Sequence, residues 1–548
     1  MINNENKAMK LIHTITAALC VVLMASCYED EGNYDYHDIN EVTITGVPTR
    51  QEIDRLETLT ITPELEGTLY GKDESQYEYL WELNKKVIST EKNLSYEVTN
   101  STGSYTLRLS VIDKENKTKA FAVTNLVVNS STSSDGILVV SHRHGEADLS
   151  YLRLDKEDAA FASMFYNRSH EEPLAHHARK IYQSYVDGCK AYVNKFGGQG
   201  IKLICDEGML CINNMTLETN GAIDKQFFLD YGPLYPVPDY SGYKPCFANS
   251  FVSQWRLSPY GSVFNDENLF VISEDGAIYV IAYSRSSNPS IYAANFKSDS
   301  ENNYHFSPMM CETGRTPTAD RGLNLNAGWD GTYQQFVFDE LSGRFFIYYY
   351  GDMTEVDSQQ KSFPGYRAFY GEDTYQGGLC FAAINNGSNT KLTLFDTNNI
   401  DAGTCTVYDV DAQLATADSR FFMLRNIPYV YFTTANGLYR YNVLNVQSGV
   451  APNDGDRLIS LSELGYSADA RIADACMHRG EKRMLLAVSR YGNDTEGNTD
   501  ELKTDIVELS LEGSKPTLLH KYESVAGASP LVIYKYRTFA RNDEKIVD

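Results

Sequence analysis

From Glu41 onward, apolar and polar residues alternate with a period of two in short runs. These are Val42-Thr43-Ile44-Thr45, Leu59-Thr60-Ile61-Thr62, Tyr77 to Leu83 and Tyr105 to Val111, with Phe121 to Val128 closing the set. Successive side chains on a strand face opposite sides, so each run predicts a half-buried antiparallel strand. Several such strands in one short stretch predict a β-sandwich over residues 41–130. Trp81, inside the sharpest alternation, reads as a core plug. The Ser-rich stretch Asn129 to Gly136 then marks an exposed linker at 131–135.

Residues 136–548 carry a different pattern, in which an apolar run meets a turn with Gly and a second apolar run follows. It recurs seven times, with turn glycines at Gly145, Gly208, Gly276, Gly343, Gly387, Gly437 and Gly497. Asp-Gly and Asn-Gly at several of these turns supply the positive φ that tight hairpins need. The spacing exceeds the roughly 40–50 residues of a single propeller blade, so long loops must fill the difference. The favoured reading is all-β: an N-terminal sandwich followed by a seven-bladed β-propeller, whose radial closure protects sheet edges. A large irregular sandwich or barrel is the alternative. One helix is expected, over Glu171 to Val186, with Pro173 in its first turn.

The N-terminus predicts export. Lys7 and Lys10 precede the apolar run Leu11 to Leu23, which is short for a membrane span. Ala25-Ser26-Cys27 then resembles a lipobox, which implies lipidation of Cys27 and removal of residues 1–26. Glu29, Asp30 and Glu31 follow directly and are similar to the surface-export signal of Bacteroidota lipoproteins. Residues 27–40 thus read as a lipidated acidic tether, anchored in the outer membrane on the cell surface.

Loss of Lys7, Lys10 and Glu5 with the leader moves the formal charge from −25 to −26. A surface so acidic disfavours nucleic acid, which needs basic patches. Eight cysteines lie beyond Cys27 with no C-x-x-C among them. Cys205 and Cys211 flank a turn and read either as a cross-strand disulfide or as buried free thiols. His170, His176 and His177 are spaced wrongly for a helical zinc motif, and no metal is expected. His142 and His144 would share a strand face, and a solvated rim is the favoured reading. No G-x-S-x-G elbow, sialidase box or phosphate loop appears. No catalytic residue and no cofactor are therefore assigned, although Asp330, Asp339 and Asp373 could serve a propeller glycosidase.

The aromatics are the more informative chemistry. Tyr231, Tyr235, Tyr240 and Tyr243 lie in a segment rich in Pro and Gly; Trp255, Trp329, Tyr366 and Tyr370 follow in or near other loops. Tyr and Trp on stiff loops offer large contact area at low entropic cost. Sugar or peptide stacking, a protein interface and inward packing all remain open for them.

Tyr79-x-Trp81 with Gly103-Ser104-Tyr105-x-Leu107-x-Leu109-x-Val111-x-Asp113 resembles a PKD-type immunoglobulin-like domain. The opening from Cys27 through Val42 is similar to the PKD-like lipoproteins of Bacteroidota. The resemblance covers residues 27–130. It implies an accessory surface lipoprotein of a SusC/SusD-like TonB-dependent importer, binding oligopeptide or glycan cargo and contacting the importer and other surface lipoproteins. A propeller-type surface hydrolase and an iron-chelate-binding lipoprotein are the rivals.

Overall fold

The computed structural model describes residues 39–183, 200–227, 240–257, 262–284, 290–298, 302–312, 335–349, 352–356, 361–396, 406–490 and 502–537. Packing divides the chain into two units: 1–49 with 60–94 and 106–125, and 50–59 with 95–105 and 126–548. Cys27, Glu29, Asp30 and Glu31 lie outside the described residues. Among the described residues no helix is long and apolar enough to cross a membrane.

In the first unit, Val42–Thr45 runs antiparallel to Glu64–Gly67, and Tyr77–Leu83 lies between Lys86–Ser89 and the strand Gly103–Asp113. Their inward residues Leu65, Trp81, Leu83, Leu109 and Val111 are buried. Trp81 has no exposed surface, and its indole N–H donates to the Glu91 and Lys92 carbonyls at 3.1 and 3.2 Å. A buried indole needs such an acceptor. The expected strand alternation and the Trp81 plug are both present.

The second unit holds seven four-stranded antiparallel sheets. The first combines Gly136–Arg143, Glu146–Arg153 and the two-residue Ala175–His176 with Ala528–Lys535, the last strand among the described residues. The other six are each built from consecutive strands. Their leading strands are Lys180–Gln183, Pro245–Leu257, Phe306–Glu312, Arg367–Asp373, Phe421–Met423 and Arg471–Met477.

Both faces of inner strands such as Gly136–Arg143, Gly200–Cys205, Leu379–Asn385 and Arg483–Ser489 are buried, which explains why the sequence shows continuous apolar runs there. Neighbouring residues serve different cores. Phe336 packs against the fifth sheet while Val337 packs against the third. Leu485 packs against the first sheet while Leu486 packs against the sixth. Seven such cores join first to second sheet, second to third, and so on, and the seventh sheet back to the first. Gly343, at φ +68°, shows why one of the turn glycines is needed: a Cβ there would stand 2.5 Å from the Phe363 carbonyl carbon.

Three expectations need correction. Residues 171–183 are not helical: they carry Ala175–His176 and Lys180–Gln183, and a single turn of helix lies earlier, at Tyr166–Ser169. Pro173 and the left-handed His177 (φ +47°) break the backbone, and Lys180–Gln183 is held as a strand by antiparallel pairing with Gly200–Cys205. The Ser-rich stretch is not exposed throughout. Ser131 and Thr132 are buried, Ser131 donates to the Arg55 carbonyl, and Thr132 donates to the Met215 carbonyl at 2.8 Å. Cys205 and Cys211 are free thiols, and they pack into different cores, so the disulfide alternative falls away.

Candidate functional site

The leading strands of the sheets, with the closing strand Ala528–Lys535, form a cycle of neighbours. Lys180–Gln183 touches both Ala528–Lys535 and Pro245–Leu257, and contact continues through Phe306–Glu312 and Arg367–Asp373 to Phe421–Met423. Arg420, beside the last of these, pairs with Asp474 of Arg471–Met477 at 2.7 Å, and that strand returns to Ala528–Lys535.

Polar side chains gather near the starts of these strands. Lys180, Tyr182, Cys246 and Phe247 are half-buried, and the side chains of Arg420 and Arg367 keep 37% and 51% exposure. Lys180, Tyr182 and Arg420 are enclosed by neighbouring strands and still reach solvent, the combination expected on the wall of an internal space. Burial pushes the Lys180 ammonium down to about 8, and the nearby Arg420 and Arg367 charges act in the same direction. Burial also raises the Cys246 thiol. For Arg420, burial is outweighed by Asp474, which holds the guanidinium charged.

Pairing within the cluster is unequal. Arg420 has Asp474, whose second oxygen accepts from the Val532 N–H at 2.9 Å. Arg367 has Glu340 at 3.3 Å. Lys180 has no carboxylate within 4 Å among the described residues; its ammonium sits 5.7 Å from the centre of the Phe247 ring, which Tyr182 meets edge-on at 6.0 Å. One cation is left uncompensated beside two aromatic rings. That arrangement can hold a carboxylate or similar anionic group whose attached body lies against the rings.

Of the aromatics singled out from sequence, the described ones are spread over several sheets. Tyr240 is 2% exposed, and Tyr240 and Tyr243 pack on Tyr279 at 6.2 and 4.8 Å, inside the core of the second and third sheets. Tyr366 is half-buried against Phe363, with its hydroxyl accepting from Asn389 at 3.2 Å. Tyr370 stacks on Phe421 at 5.4 Å, and its hydroxyl accepts from the Met423 N–H at 3.0 Å. Trp255 lies in a strand, paired with Phe264. Tyr231, Tyr235 and Trp329 lie outside the described residues, as does Asp330.

The histidines and acids are likewise dispersed. His170 pairs with Glu218, His176 with Glu207 and His177 with Asp206. His142 is buried, with Nδ1 3.4 Å from the Ala528 carbonyl, and His144 occupies a turn at φ +53°. Asp339 holds its turn by accepting from the His305 and Ser342 N–H groups, each at 2.8 Å; Asp373 does the same for Tyr375 at 2.6 Å. Among the described residues no group of three His, Cys, Asp or Glu is placed to hold a metal.

Lys180 and Arg420 were missed by sequence reasoning. Lys180 fell inside the expected helix, and the polar–apolar–apolar–polar run Lys180 to Gln183 carries no period-two signal of a strand. Arg420 precedes a three-residue strand, too short to show a period.

A model of the PKD-like family matches residues 27–177. No curated protein sequence matches the chain. Among solved structures, a quinonprotein alcohol dehydrogenase-like protein from Bacteroides thetaiotaomicron aligns at 14% identity and a TM-score of 0.45, over 90% of this chain and 99% of that one. An auxiliary nutrient binding protein from Bacteroides ovatus aligns at 10% identity and a TM-score of 0.30, over 77% and 86%. A second auxiliary nutrient binding protein, from Bacteroides thetaiotaomicron, aligns at 10% identity and a TM-score of 0.27, over 78% and 87%. The chain is all-β, and its N-terminal part is PKD-like.

Proposed function

We propose that this chain is a non-catalytic accessory subunit of a SusC/SusD-like TonB-dependent importer, lipidated at Cys27 and displayed on the cell surface through Glu29, Asp30 and Glu31. Its seven sheets close as a β-propeller. The cycle of core clusters and the pairing of Gly136–Arg143 with Ala528–Lys535 support that closure. Such pairing of chain start and end shuts a ring of sheets without leaving an open edge.

In this reading the interior of the ring binds the anionic end of an oligopeptide or acidic glycan. The observation that carries it is Lys180, an ammonium with no carboxylate within 4 Å among the described residues, near Arg420 and beside the Phe247–Tyr182 pair, in a chain whose net charge is −25. A local positive spot in an acidic protein selects for the charged end of a ligand and orients it. The test is titration calorimetry of the purified chain with tetraglutamate and trigalacturonate, and with uncharged tetra-alanine amide as control. At least one acidic probe binds, and Lys180→Met weakens it about tenfold, the equivalent of 1.4 kcal/mol. Binding of neither acidic probe, or equal affinity in Lys180→Met, sinks the assignment. The importer partnership is tested separately, by co-purification from detergent-solubilised outer membrane.

A further inference from the structure

The seventh and first sheets diverge at one end into a cleft of about 720 Å³. That volume lies within the roughly 300–1,000 Å³ of small-molecule sites. It is separate from the Lys180 cluster: its lining includes neither Lys180, Arg420 nor Phe247.

Each wall carries a guanidinium–carboxylate pair. On the first-sheet side, Arg153 holds Asp155 in a two-point bond, Nε at 2.8 Å and Nη2 at 3.0 Å, and reaches Asp54 at 3.1 Å. On the seventh-sheet side, Arg483 lies 3.2 Å from Glu508, which also accepts from the Tyr534 hydroxyl at 3.0 Å. Lys156, at the rim, is paired with Glu57 at 2.7 Å. Lys535, in the lining, is fully buried and donates to the Ser134 carbonyl at 2.7 Å; burial pushes its ammonium down to about 7, which weakens its charge. These cations are matched or weakened, and the exposed Arg537, whose backbone N–H donates to Asp135, shares the lining with Asp135 and Glu157, so the cleft offers an ionic ligand little net charge.

Aromatic surface completes the cleft. His520 stacks on Tyr522 with centroids 5.7 Å apart, and Tyr522 meets Phe161 edge-on at 5.1 Å. Both line the cleft from the strand Thr517–Ala526, the outer strand of the seventh sheet, where His520 is exposed. Ring faces attract the C–H face of a pyranose. A guanidinium beside a carboxylate offers a donor and an acceptor at the spacing of two adjacent hydroxyls, and both remain paired if the ligand leaves.

We propose that this cleft is a second binding site, for a neutral oligosaccharide, with Tyr522 and His520 as the stacking platform and the Arg153–Asp155 and Arg483–Glu508 pairs as hydroxyl contacts. It does not depend on the assignment of the ring interior. The test is a printed array of neutral and acidic oligosaccharides probed with the purified full chain. The neutral glycans that bind are then titrated against His520→Ala, Tyr522→Ala and Lys180→Met. His520 is exposed, so its variant keeps the melting temperature of the parent and isolates binding from folding. Binding of at least one neutral glycan, weakened about tenfold in Tyr522→Ala and measurably in His520→Ala but unchanged in Lys180→Met, is the expected result. Absence of any neutral glycan on the array, binding to acidic glycans alone, or unchanged affinity in both cleft variants overturns it. Loss of neutral binding in Lys180→Met would move the sugar to the ring interior and also overturn it.

Discussion

Replacing Glu218 by Gln probes an ion pair in which, alone among the described residues, an arginine has no exposed side chain. The Arg55 guanidinium is 0% exposed; it donates to the Thr99 carbonyl at 3.0 Å and the Thr216 carbonyl at 2.5 Å, and lies 5.2 Å from the centre of the Phe165 ring. Its counter-ion is Glu218, at 2.8 Å and 24% exposed. Glu218 in turn accepts from Ser101 and from His170, each at 2.8 Å, and His170 stacks flat on Tyr166 at 3.8 Å. Removing one partner of a buried pair costs about 3–5 kcal/mol, because a charge is left in a low dielectric without compensation. Glu218 keeps some solvent contact and Arg55 keeps two carbonyls, which places the expected loss near the low end, about 3 kcal/mol. Urea unfolding measures it, with Lys482→Gln, from an exposed pair at 3.8 Å, as the control expected to lose at most about 1 kcal/mol. The network also sets a pH window. Burial favours the protonated Glu218 carboxyl, but the His170 hydrogen bond and the Arg55 charge outweigh it and hold its pKa below 4.5; the bond to Glu218 raises His170 above 6.5. The Glu218 contribution is therefore present above about pH 4.5 and lost as pH falls through its lowered value. The His170 contribution is full below about pH 6.5 and lost as pH rises through its raised value. His170→Asn should abolish the upper limb alone. A Glu218→Gln loss no larger than that of the control, or an upper limb that survives in His170→Asn, would refute the reasoning.

Cys27→Ala should move the protein from membrane to soluble fractions, and alanine at Glu29, Asp30 and Glu31 together should keep it anchored but shield it from protease added to whole cells; full accessibility of that triple variant ends the export-signal reading. Limited proteolysis should spare Ser130 to Ser134, because Ser131 and Thr132 are buried and hydrogen-bonded; mass spectrometry showing the first cut there contradicts the docked linker. Tyr240→Ala should lower stability by about 3–5 kcal/mol, as large-to-small core changes do, and an unchanged urea midpoint would put Tyr240 on a surface.

The parts of the fold that were legible are those in which neighbouring residues on one strand already report their surroundings. Tyr77 to Leu83 alternates because one side of it is buried more than the other, and Leu485-Leu486 does not alternate because each residue enters a different core. The turn at Gly343 could be placed because a positive φ beside the Phe363 backbone admits no side chain. What failed were short strands whose register is imposed from outside. Lys180–Gln183 takes its strand form from pairing with Gly200–Cys205, and residues 171–183 without that partner have the composition of a capped helix. The pairing of Gly136–Arg143 with Ala528–Lys535 joins strands far apart in sequence, and no local pattern encodes a contact of that range.

The candidate site was hidden for a related reason. Aromatic residues in loops stiffened by Pro or Gly were the visible candidates, yet Tyr240 and Tyr243 are interior, because a turn held by the Tyr243 N–H and the Tyr240 carbonyl at 3.1 Å folds both rings onto Tyr279. Stiff backbone there serves packing. The groups that differ from their surroundings are single cations at strand starts far apart in sequence, Lys180, Arg367 and Arg420, brought within electrostatic reach of one another only when the leading strands become neighbours. A net charge of −25 averages them away. Arg420 pairs with Asp474 and Arg367 with Glu340, and of the three only Lys180 has no carboxylate within 4 Å among the described residues; the proposed selection of an anionic ligand rests on that difference.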